Sequence, residues 1–309
     1  MYFQLIEPLV KDLINIRESM REELKIFRKK TTEKMKKYVF GIDLGTTYSC
    51  IARVDDTGKP EIIKNNEGEN LTPSAVQFDG DIVIVGDTAK EEAVLNPEAT
   101  VMLVKTLMGK TDFAISYNGK NICPEEISSY ILKKLVKDAS EQLGVEVKDV
   151  VITCPAYFGT AEREATRNAG GIAGLNVLGI ISEPTAAALY YGCTKKQEEK
   201  IILIYDLGGA TFDVTIMKIT STLLNETIKK TKDAIEIAEK KGYEKIDEIL
   251  LVGGSTRMPQ VKEALSKEFG DSKIKIFEPD EAVAKGAAIY AVNTYIHNQE
   301  KINNKFIIC

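Results

Sequence analysis

Two short stretches of this sequence repeat one pattern, and this repeat limits the fold more than any other feature. The first, FGIDLGTTYS, covers residues 40–49, and the second, IYDLGGATFD, covers residues 204–213. In both, an apolar strand-like run ends at an aspartate and enters a turn of small residues and threonine. We therefore predict two halves that are built alike and face something held between them.

Strand and helix patterns alternate along both halves. After each repeated stretch, amphipathic helical patterns and buried strand patterns follow in turn, such as the helix predicted between Pro124 and Gly144. This alternation within a duplicated plan predicts an α/β protein of two similar lobes.

The composition argues against several classes of protein. The net charge is −5, which disfavours a broad nucleic-acid-binding surface. Five scattered cysteines without a CxxC pair and a single histidine predict neither a zinc site nor a disulfide framework, so a reducing cytoplasm is the expected location. The sequence has no apolar run long enough to cross a membrane and no signal-peptide pattern.

Residues 1–37 carry an apolar stripe at helical spacing, opposite a charged face with a basic end. A helix that packs on the main body or on a partner helix is one interpretation, and a membrane-surface helix is the other. Glutamates at positions 18, 22 and 23 interrupt the basic face and favour the first. The stripe consists of Leu5, Leu9, Leu13, Ile16, Met20, Leu24 and Phe27.

The two repeated turns suit a polyphosphate. Small residues let backbone N–H groups approach phosphate oxygens closely, and threonine hydroxyls add further donors. An aspartate cannot contact phosphate directly without repulsion, so Asp43 and Asp206 imply a bridging Mg²⁺ with its waters. The turn residues are Gly45, Thr46 and Thr47 in the first stretch and Gly208, Gly209, Ala210 and Thr211 in the second.

A third stretch, LLVGGSTRMP at residues 250–259, ends a predicted strand in two glycines. A flat base can lie against the backbone at Gly253 and Gly254, and Arg257 is placed to stack on it. Each of the three motifs alone is common in ordinary turns. Their ordered set is far more specific and predicts a nucleotide site.

Four longer stretches then resemble a known family. They are GIDLGTTYSCIA, VITCPAYFGTAEREATRNAGGIAGLNVLGIISEPTAAALYYG, YDLGGATFDVTI and LLVGGSTRMPQV, and the resemblance that they carry runs over about residues 39–291. They resemble the nucleotide-binding domain of the seventy-kilodalton heat-shock chaperones of the DnaK type. The resemblance implies an actin-like fold, in which two lobes with ribonuclease-H-like cores close on ATP. It also implies ATP or ADP with Mg²⁺, K⁺ as a further candidate cofactor, slow hydrolysis to ADP and phosphate, and a chaperone role in the stress response.

The resemblance further implies roles for single residues. Asp43 and Asp206 would hold Mg²⁺ through water, and Lys105 would lie beside the γ-phosphate. Acids near the attacking water would complete a catalytic set of Lys105, Glu183, Asp213 and Thr211.

A larger set would bind the nucleotide, and two residues outside the site would sense it. Pro155 and Arg163 match the family's relay between the lobes. The implied nucleotide-binding residues are Gly45, Thr46, Thr47, Tyr48, Gly208, Gly209, Ala210, Thr211, Gly253, Gly254, Ser255, Arg257 and Asp280.

The resemblance sets the domain boundaries that we predict. They are an N-terminal helical extension at 1–37, a first lobe at 38–197 with an inserted subdomain at about 75–145, a truncated second lobe with a return helix at 198–296, and a loosely ordered tail at 297–309. The second lobe is called truncated because VTIMKI passes almost directly to STLLNETIKK, where the family has a whole subdomain. Ala210 stands where the family has a third glycine, and KFIIC falls where its interdomain linker would begin.

These departures leave more than one function open. The first is a truncated chaperone ATPase domain, with adenine nucleotide as ligand and a co-chaperone or partner helix at residues 1–37. The second is a non-catalytic interaction module or remnant on the same fold, which the missing subdomain favours. A sugar kinase or filament-forming relative is disfavoured by the PAYF and EPTAAAL stretches. Nucleic-acid binding is not expected, nor is peptide binding by this chain alone.

Overall fold

The structure is a computed structural model. It describes residues 38–110, 112–194, 202–208, 211–213, 217–218, 247–257 and 259–305, together with positions 232, 235, 236 and 240. The predicted N-terminal helix at 1–37 lies outside this part. So does most of the helix predicted at 221–242, whose four described positions are helical.

Sixteen strands and six α-helices are described. The strands are β1 Val39–Asp43, β2 Tyr48–Val54, β3 Pro60–Ile63, β4 Thr72–Pro73, β5 Ala75–Asp79, β6 Ile82–Val85, β7 Thr100–Met102, β8 Ile115–Tyr117, β9 Lys120–Ile122, β10 Asp149–Cys154, β11 Asn176–Ser182, β12 Ile202–Leu207, β13 Thr211–Asp213, β14 Met217–Lys218, β15 Glu248–Val252 and β16 Ile274–Ile276. The helices are α1 Asp87–Glu92, α2 Pro124–Leu143, α3 Thr160–Ile172, α4 Glu183–Thr194, α5 Pro259–Phe269 and α6 Ala282–Lys305. Short 3-10 helices occupy Val104–Leu107, Gly254–Arg257 and Asp271–Lys273.

The two main sheets share one topology. The first has the order β11-β10-β1-β2-β3 and the second the order β14-β13-β12-β15-β16. In each, the first strand pairs antiparallel with the strand that follows it and parallel with a strand from much later in its half, β10 or β15. The predicted duplication is therefore confirmed in the order and direction of the strands.

The local sequence explains why these elements form. All six residues of β10 and all five of β15 are buried, as expected for parallel strands covered on both faces. Helix α2 begins at Pro124, where a missing N–H costs nothing, and is capped by Gly144 in the left-handed conformation at φ 64°.

The last helix of each half packs on the strands of the other half. Helix α4 follows β11 but packs on β12, whereas α6 follows β16 and packs on β1 and β2. The two helices also pack on each other. Glycines allow these approaches: a Cβ atom at Gly286 would lie 1.7 Å from the carbonyl oxygen of Ala186, and one at Gly41 would lie 2.0 Å from the backbone nitrogen of Ala288.

Small elements fill the segment between β4 and α2. They are a three-stranded sheet in the order β6-β5-β7 and the β8–β9 hairpin, within the range predicted to hold an inserted subdomain. Strands β4, β5, β7, β8 and β9 were not predicted, and all of these except β5 have only two or three residues, which are too few to show a period of two.

The predicted tail begins as helix. Helix α6 continues to Lys305 and so includes the first nine residues of the segment predicted as a tail from residue 297. Residues 297–305 contain neither proline nor glycine and include Gln, Glu and Lys, which sustain a helix already formed. Within the described residues, no helix is both long and apolar enough to span a membrane.

The contact between α4 and α6 can be tested with two glycines. We expect Gly286→Ala to lower the free energy of unfolding by at least about 1–3 kcal/mol, because the added methyl group would overlap the Ala186 carbonyl. Gly171→Ala in α3 is the matched control, since no atom lies within 4 Å of its added Cβ. It should stabilise the helix by about 0.5–1 kcal/mol. Urea unfolding measures both, and equal midpoints for the two variants would contradict the packing described.

Candidate functional site

A buried charged cluster lies where β1, β10 and α4 meet. The ammonium of Lys105 forms an ion pair and hydrogen bond with Glu183 Oε1, and both side chains are buried. Asp43 is close enough for both charges to act on it, and it accepts a hydrogen bond of 2.8 Å from Thr153 Oγ1. The cluster holds two carboxylates and one ammonium, so it carries an excess of negative charge.

Each member of the cluster is positioned by a strand or a helix. Asp43 is the last residue of β1, and Thr153 is next to last in the neighbouring parallel strand β10, so both lie at the same sheet edge. Glu183 is the first residue of α4, where the helix dipole favours a negative charge. Lys105 lies in the 3-10 helix that follows Leu103, whose φ of 60° turns the chain sharply.

Burial and mutual charge shift the pKa values of this cluster. Burial and, to a smaller extent, the carboxylate of Glu183 raise the pKa of Asp43 to about 6, against the opposing effects of Lys105 and Thr153. Burial alone would lower the pKa of Lys105, but the carboxylates of Glu183 and Asp43 raise it by more. Lys105 therefore stays protonated, and the charge of Asp43 is unfavourable in the ligand-free protein.

The first small-residue turn is held by serine side chains. The N–H of Gly45 donates to Ser49 Oγ at 3.1 Å, and its carbonyl accepts from Ser74 Oγ at 2.8 Å. The N–H of Ser74 donates to the carbonyl of Thr47 at 2.9 Å. A Cβ atom at Gly45 would lie 1.9 Å from the carbonyl oxygen of Tyr48, so the turn requires glycine there.

Two other predicted residues of this turn differ in exposure. Thr46 is buried, whereas Tyr48 is partly exposed and interacts with a lysine from α1. The ammonium of Lys90 donates to the Tyr48 hydroxyl at 2.5 Å and lies 4.7 Å from the centre of its ring.

The second aspartate lies against the third motif. Asp206 is buried in β12, beside Val252 of β15. Gly253 follows with φ 84°, and a Cβ atom there would lie 2.4 Å from Asp206 Oδ1. Gly253 therefore permits the close approach of that carboxylate, which a larger residue would block.

The structure describes the rest of the second turn only in part. The predicted phosphate-binding residues Gly209 and Ala210 lie outside the described residues, so the effect of alanine at 210 stays a prediction. Gly208 is half-buried, and the backbone of Thr211 and Asp213 lies in β13, antiparallel to β12.

The third motif is joined to the start of α6. The N–H of Gly253 donates to the carbonyl of Pro279 at 2.8 Å. Arg257 donates to Asp280 Oδ2 from Nε at 2.9 Å and from Nη2 at 2.5 Å. The structure thus brings together three residues of the predicted nucleotide-binding set, and it pairs Arg257 with a carboxylate. Gly254 and Ser255 lie in the 3-10 helix between them.

The predicted relay residues lie on either side of the connection from β10 to α3, with Pro155 directly after β10 and Arg163 in the first turn of α3. The carbonyl of Pro155 accepts from the N–H of Phe158 at 3.2 Å, and Arg163 Nε donates to the carbonyl of Phe158 at 2.9 Å. Phe158 thus connects the two.

Sequence reasoning missed three supporting hydroxyls, those of Thr153, Ser74 and Thr256. The first holds Asp43 and the second holds the first turn, while Thr256 Oγ1 donates to the carbonyl of Gly253 at 2.7 Å. Thr153 carried a signal, because it lies next to the end of a buried strand that is paired with the strand of Asp43.

The donor set suits a cation held through water. Among the described residues, no group of three or more His, Cys, Asp and Glu side chains is placed to hold a metal ion directly. Mg²⁺ characteristically keeps several waters and uses only one or two carboxylates, so Asp43 and Asp206 fit it in this mode.

Comparison with known sequences identifies the family. The sequence model described as "Hsp70 protein" matches residues 39–114, 110–222 and 218–301, which is most of the chain. This chain belongs to the Hsp70 family. The family predicted from the four motif stretches is confirmed. The actin-like fold is also confirmed, because the family implies it and the two main sheets share one topology. Hsp70 proteins in general bind ATP or ADP with Mg²⁺ and interact with co-chaperones.

Several curated Hsp70 proteins are similar over most of this chain. The chaperone proteins DnaK of Thermotoga neapolitana, Thermotoga maritima and Thermosipho africanus are each 38% identical to it over 83% of its length and 59% of theirs. The chain thus spans about 59% of the length of these relatives. The first alignment runs over 355 positions, but 83% of 309 residues is only about 256, so about 99 positions of that relative face gaps here.

The excess of carboxylate over ammonium in the cluster predicts opposite effects for two aspartates. We expect Asp43→Asn to raise the free energy of unfolding of the ligand-free chain by about 1–3 kcal/mol, because it removes one half-buried negative charge beside Glu183 and keeps an acceptor for Thr153. Asp149→Asn is the matched control at the other end of the same sheet, where Asn176 Nδ2 donates to the carboxylate at 2.5 Å. Asp149→Asn should lower the free energy of unfolding. Urea unfolding without nucleotide or Mg²⁺ measures both variants, and a loss of stability in Asp43→Asn would contradict the description of the cluster.

Proposed function

We propose that this chain binds ATP with Mg²⁺ between its two lobes and hydrolyses it slowly to ADP and phosphate, as a truncated ATPase domain of Hsp70 type. The observation that carries the proposal is the buried cluster of Asp43, Lys105 and Glu183 at the carboxyl end of β1. Such a cluster is costly in a protein that binds nothing there, because two carboxylates face one ammonium. A metal ion and a phosphate chain would balance its charges.

Each residue of the cluster has a chemical role in this proposal. Asp43 and Asp206 hold the water shell of Mg²⁺, which when bound neutralises charge on the phosphate oxygens. The ammonium of Lys105, which stays protonated, is a cation for the charge that develops on the γ-phosphate. Glu183 and Asp213 are the acids that orient the attacking water.

The two small-residue turns and the third motif hold the remaining parts of the nucleotide. Gly45, Thr46, Thr47 and Tyr48 contact the phosphates from the first lobe, and Gly208, Gly209, Ala210 and Thr211 from the second. Gly253, Gly254, Ser255, Arg257 and Asp280 bind the adenosine. Pro155 and Arg163 transmit the state of the site. In support, the structure joins Arg257, Asp280 and Gly253 through residues 279–280.

The boundary between the lobes is placed at residues 197 and 198, with the second lobe running to 296. Two observations support a missing subdomain near residues 218–222: VTIMKI passes almost directly to STLLNETIKK there, at a junction between stretches matched by the family model, and about 99 positions of the first relative face gaps in this chain. Because that subdomain would cover the base and ribose, we expect weaker ATP binding than in an uninterrupted relative. The same gap favours the second candidate, a non-catalytic interaction module that keeps the fold.

Calorimetric titration with ATP tests the proposal. We expect binding that requires Mg²⁺ and that weakens at least about 10-fold in Asp43→Asn, since a charged ligand of the metal shell is lost. Asp149→Asn, a buried aspartate of the same sheet, should bind as the unchanged chain does. An unchanged chain that binds no ATP at millimolar concentration would overturn the proposal and favour the interaction module.

Phosphate release tests hydrolysis separately. Asp206→Ala should abolish Mg²⁺-dependent turnover, because one of the two metal-holding carboxylates is removed. Asp271→Ala, an exposed aspartate in the same half, is the control and should leave turnover unchanged. Equal turnover in both variants would refute the role of Asp206.

A further inference from the structure

The segment between β16 and α6 determines where the loop at residues 253–257 lies. Pro279 accepts the N–H of Gly253, and Asp280 accepts two hydrogen bonds from Arg257. Gly254 also lies against Asp280, because a Cβ atom there would be 3.2 Å from Asp280 Oδ1. The position of the loop is therefore set by Pro279 and Asp280, which are not part of it.

Glu278 directs the chain into those two residues. Its backbone is left-handed, with φ 37°, a conformation that is unfavourable for a residue with a Cβ atom and must be held by its surroundings. The carbonyl of Glu278 accepts the N–H groups of Glu281 at 3.0 Å and Ala282 at 2.9 Å, which starts α6. The turn from β16 into α6 thus depends on the conformation of this glutamate.

Both carboxylate oxygens of Glu278 are bound by side chains from two helices. The hydroxyl of Tyr190, from α4, donates to Oε1 at 2.9 Å, and the ammonium of Lys285, from α6, donates to Oε2 at 2.5 Å. Lys285 Nζ also lies 5.4 Å from the centre of the Tyr190 ring, and the ring of Phe277 packs against Tyr190 at 5.1 Å. We call Tyr190, Glu278 and Lys285 the glutamate clamp.

The clamp is anchored beyond its own three residues. Lys285 forms a second ion pair, of 2.8 Å, with Glu281, whose other oxygen accepts a hydrogen bond of 2.7 Å from Asn70 Nδ2. Burial alone would lower the pKa of Lys285, but its hydrogen bonds to Glu278 and Glu281 raise it by more, so the ammonium stays charged. Only 12% of the Lys285 side chain is exposed, but its partners Glu278 and Glu281 are 42% and 27% exposed, so water screens these pairs in part.

Helix α4 connects the clamp with the buried charged cluster. Glu183, the partner of Lys105, is its first residue, and Tyr190 follows seven residues later on the same helix. Seven residues of α-helix span about 10 Å. The two ends of the candidate site are therefore held at a set distance by one rigid element.

We propose that Glu278 is a positioning residue for the adenosine end of the nucleotide. Clamped by Tyr190 and Lys285, it sets the place of the 253–257 loop relative to the cluster of Asp43, Lys105 and Glu183. The inference rests on the proposed function, because it concerns how that site holds ATP. The clamp acts through Pro279 and Asp280, so its loss should weaken contacts to the nucleoside and leave contacts to the phosphates unchanged.

Two conservative variants test the clamp, with Mg²⁺–ATP and Mg²⁺–tripolyphosphate as calorimetric probes. Tyr190→Phe keeps the ring against Phe277 and removes one donor, and Glu278→Gln keeps the shape and removes the charge. We expect each to raise the Kd for ATP about 3–10-fold. The Kd for tripolyphosphate should stay within about 2-fold. The double variant should bind ATP no more than about 2-fold more weakly than the weaker single variant, because both changes break one contact.

Matched controls separate positioning from general damage. Glu61→Gln removes a glutamate of similar exposure from an ion pair with Arg53, and Tyr117→Phe removes a hydroxyl that is hydrogen-bonded elsewhere. Both should leave the Kd for ATP unchanged. Equal weakening of both probes, additive losses, or clamp variants that bind ATP like the controls would each overturn the inference while the proposed function stands. An unchanged chain that binds no ATP would overturn both.

Discussion

The packing of α4 against α6 is the contact on which the rest of the structure depends. Each helix ends one half of the chain and packs on the strands of the other, and the two cross where Gly286 lies against the carbonyl of Ala186. A Cβ atom at Gly286 would lie only 1.7 Å from the carbonyl oxygen of Ala186, so only a hydrogen atom fits between the two backbones. The mutual orientation of the halves is therefore set by backbone contact, which adapts far less than side-chain packing does. The start of α4 then places Glu183, and the start of α6 lies beside Asp280.

The same helices connect two kinds of electrostatic environment. At the carboxyl end of β1, two carboxylates face one buried ammonium, which is unfavourable until a cation arrives. At the start of α6, Lys285 also faces two carboxylates, those of Glu278 and Glu281, so the charge count is the same. These carboxylates are 42% and 27% exposed and accept further hydrogen bonds from Tyr190 and Asn70, whereas the Lys105 and Glu183 side chains are only 6% and 9% exposed. The difference in solvent exposure is the reason for assigning chemistry to the first cluster and positioning to the second.

Much of the fold could be predicted from the sequence, because its signals are local. The repeated aspartate-and-turn stretches predicted the duplicated sheets, and Pro124 and Gly144 marked the ends of α2. Long-range side-chain contacts left no such signal. Lys105 and Glu183 were both candidates, yet nothing in the sequence shows that residues 78 positions apart form an ion pair. Glu278 was not a candidate at all, since its left-handed backbone and its contact with Tyr190 arise only when β16, α4 and α6 come together.

The exchange of helices between the halves has a consequence for synthesis of the chain. Strand β1 is covered by α6, and their contact residues Gly41 and Ala288 are 247 positions apart. At translation rates of about 5–20 residues per second, the first sheet waits roughly 10–50 s on the ribosome before its covering helix exists. During that time the apolar face of the sheet that α6 covers is open to other chains. A member of a chaperone family would then itself be exposed to misfolding while it is being made.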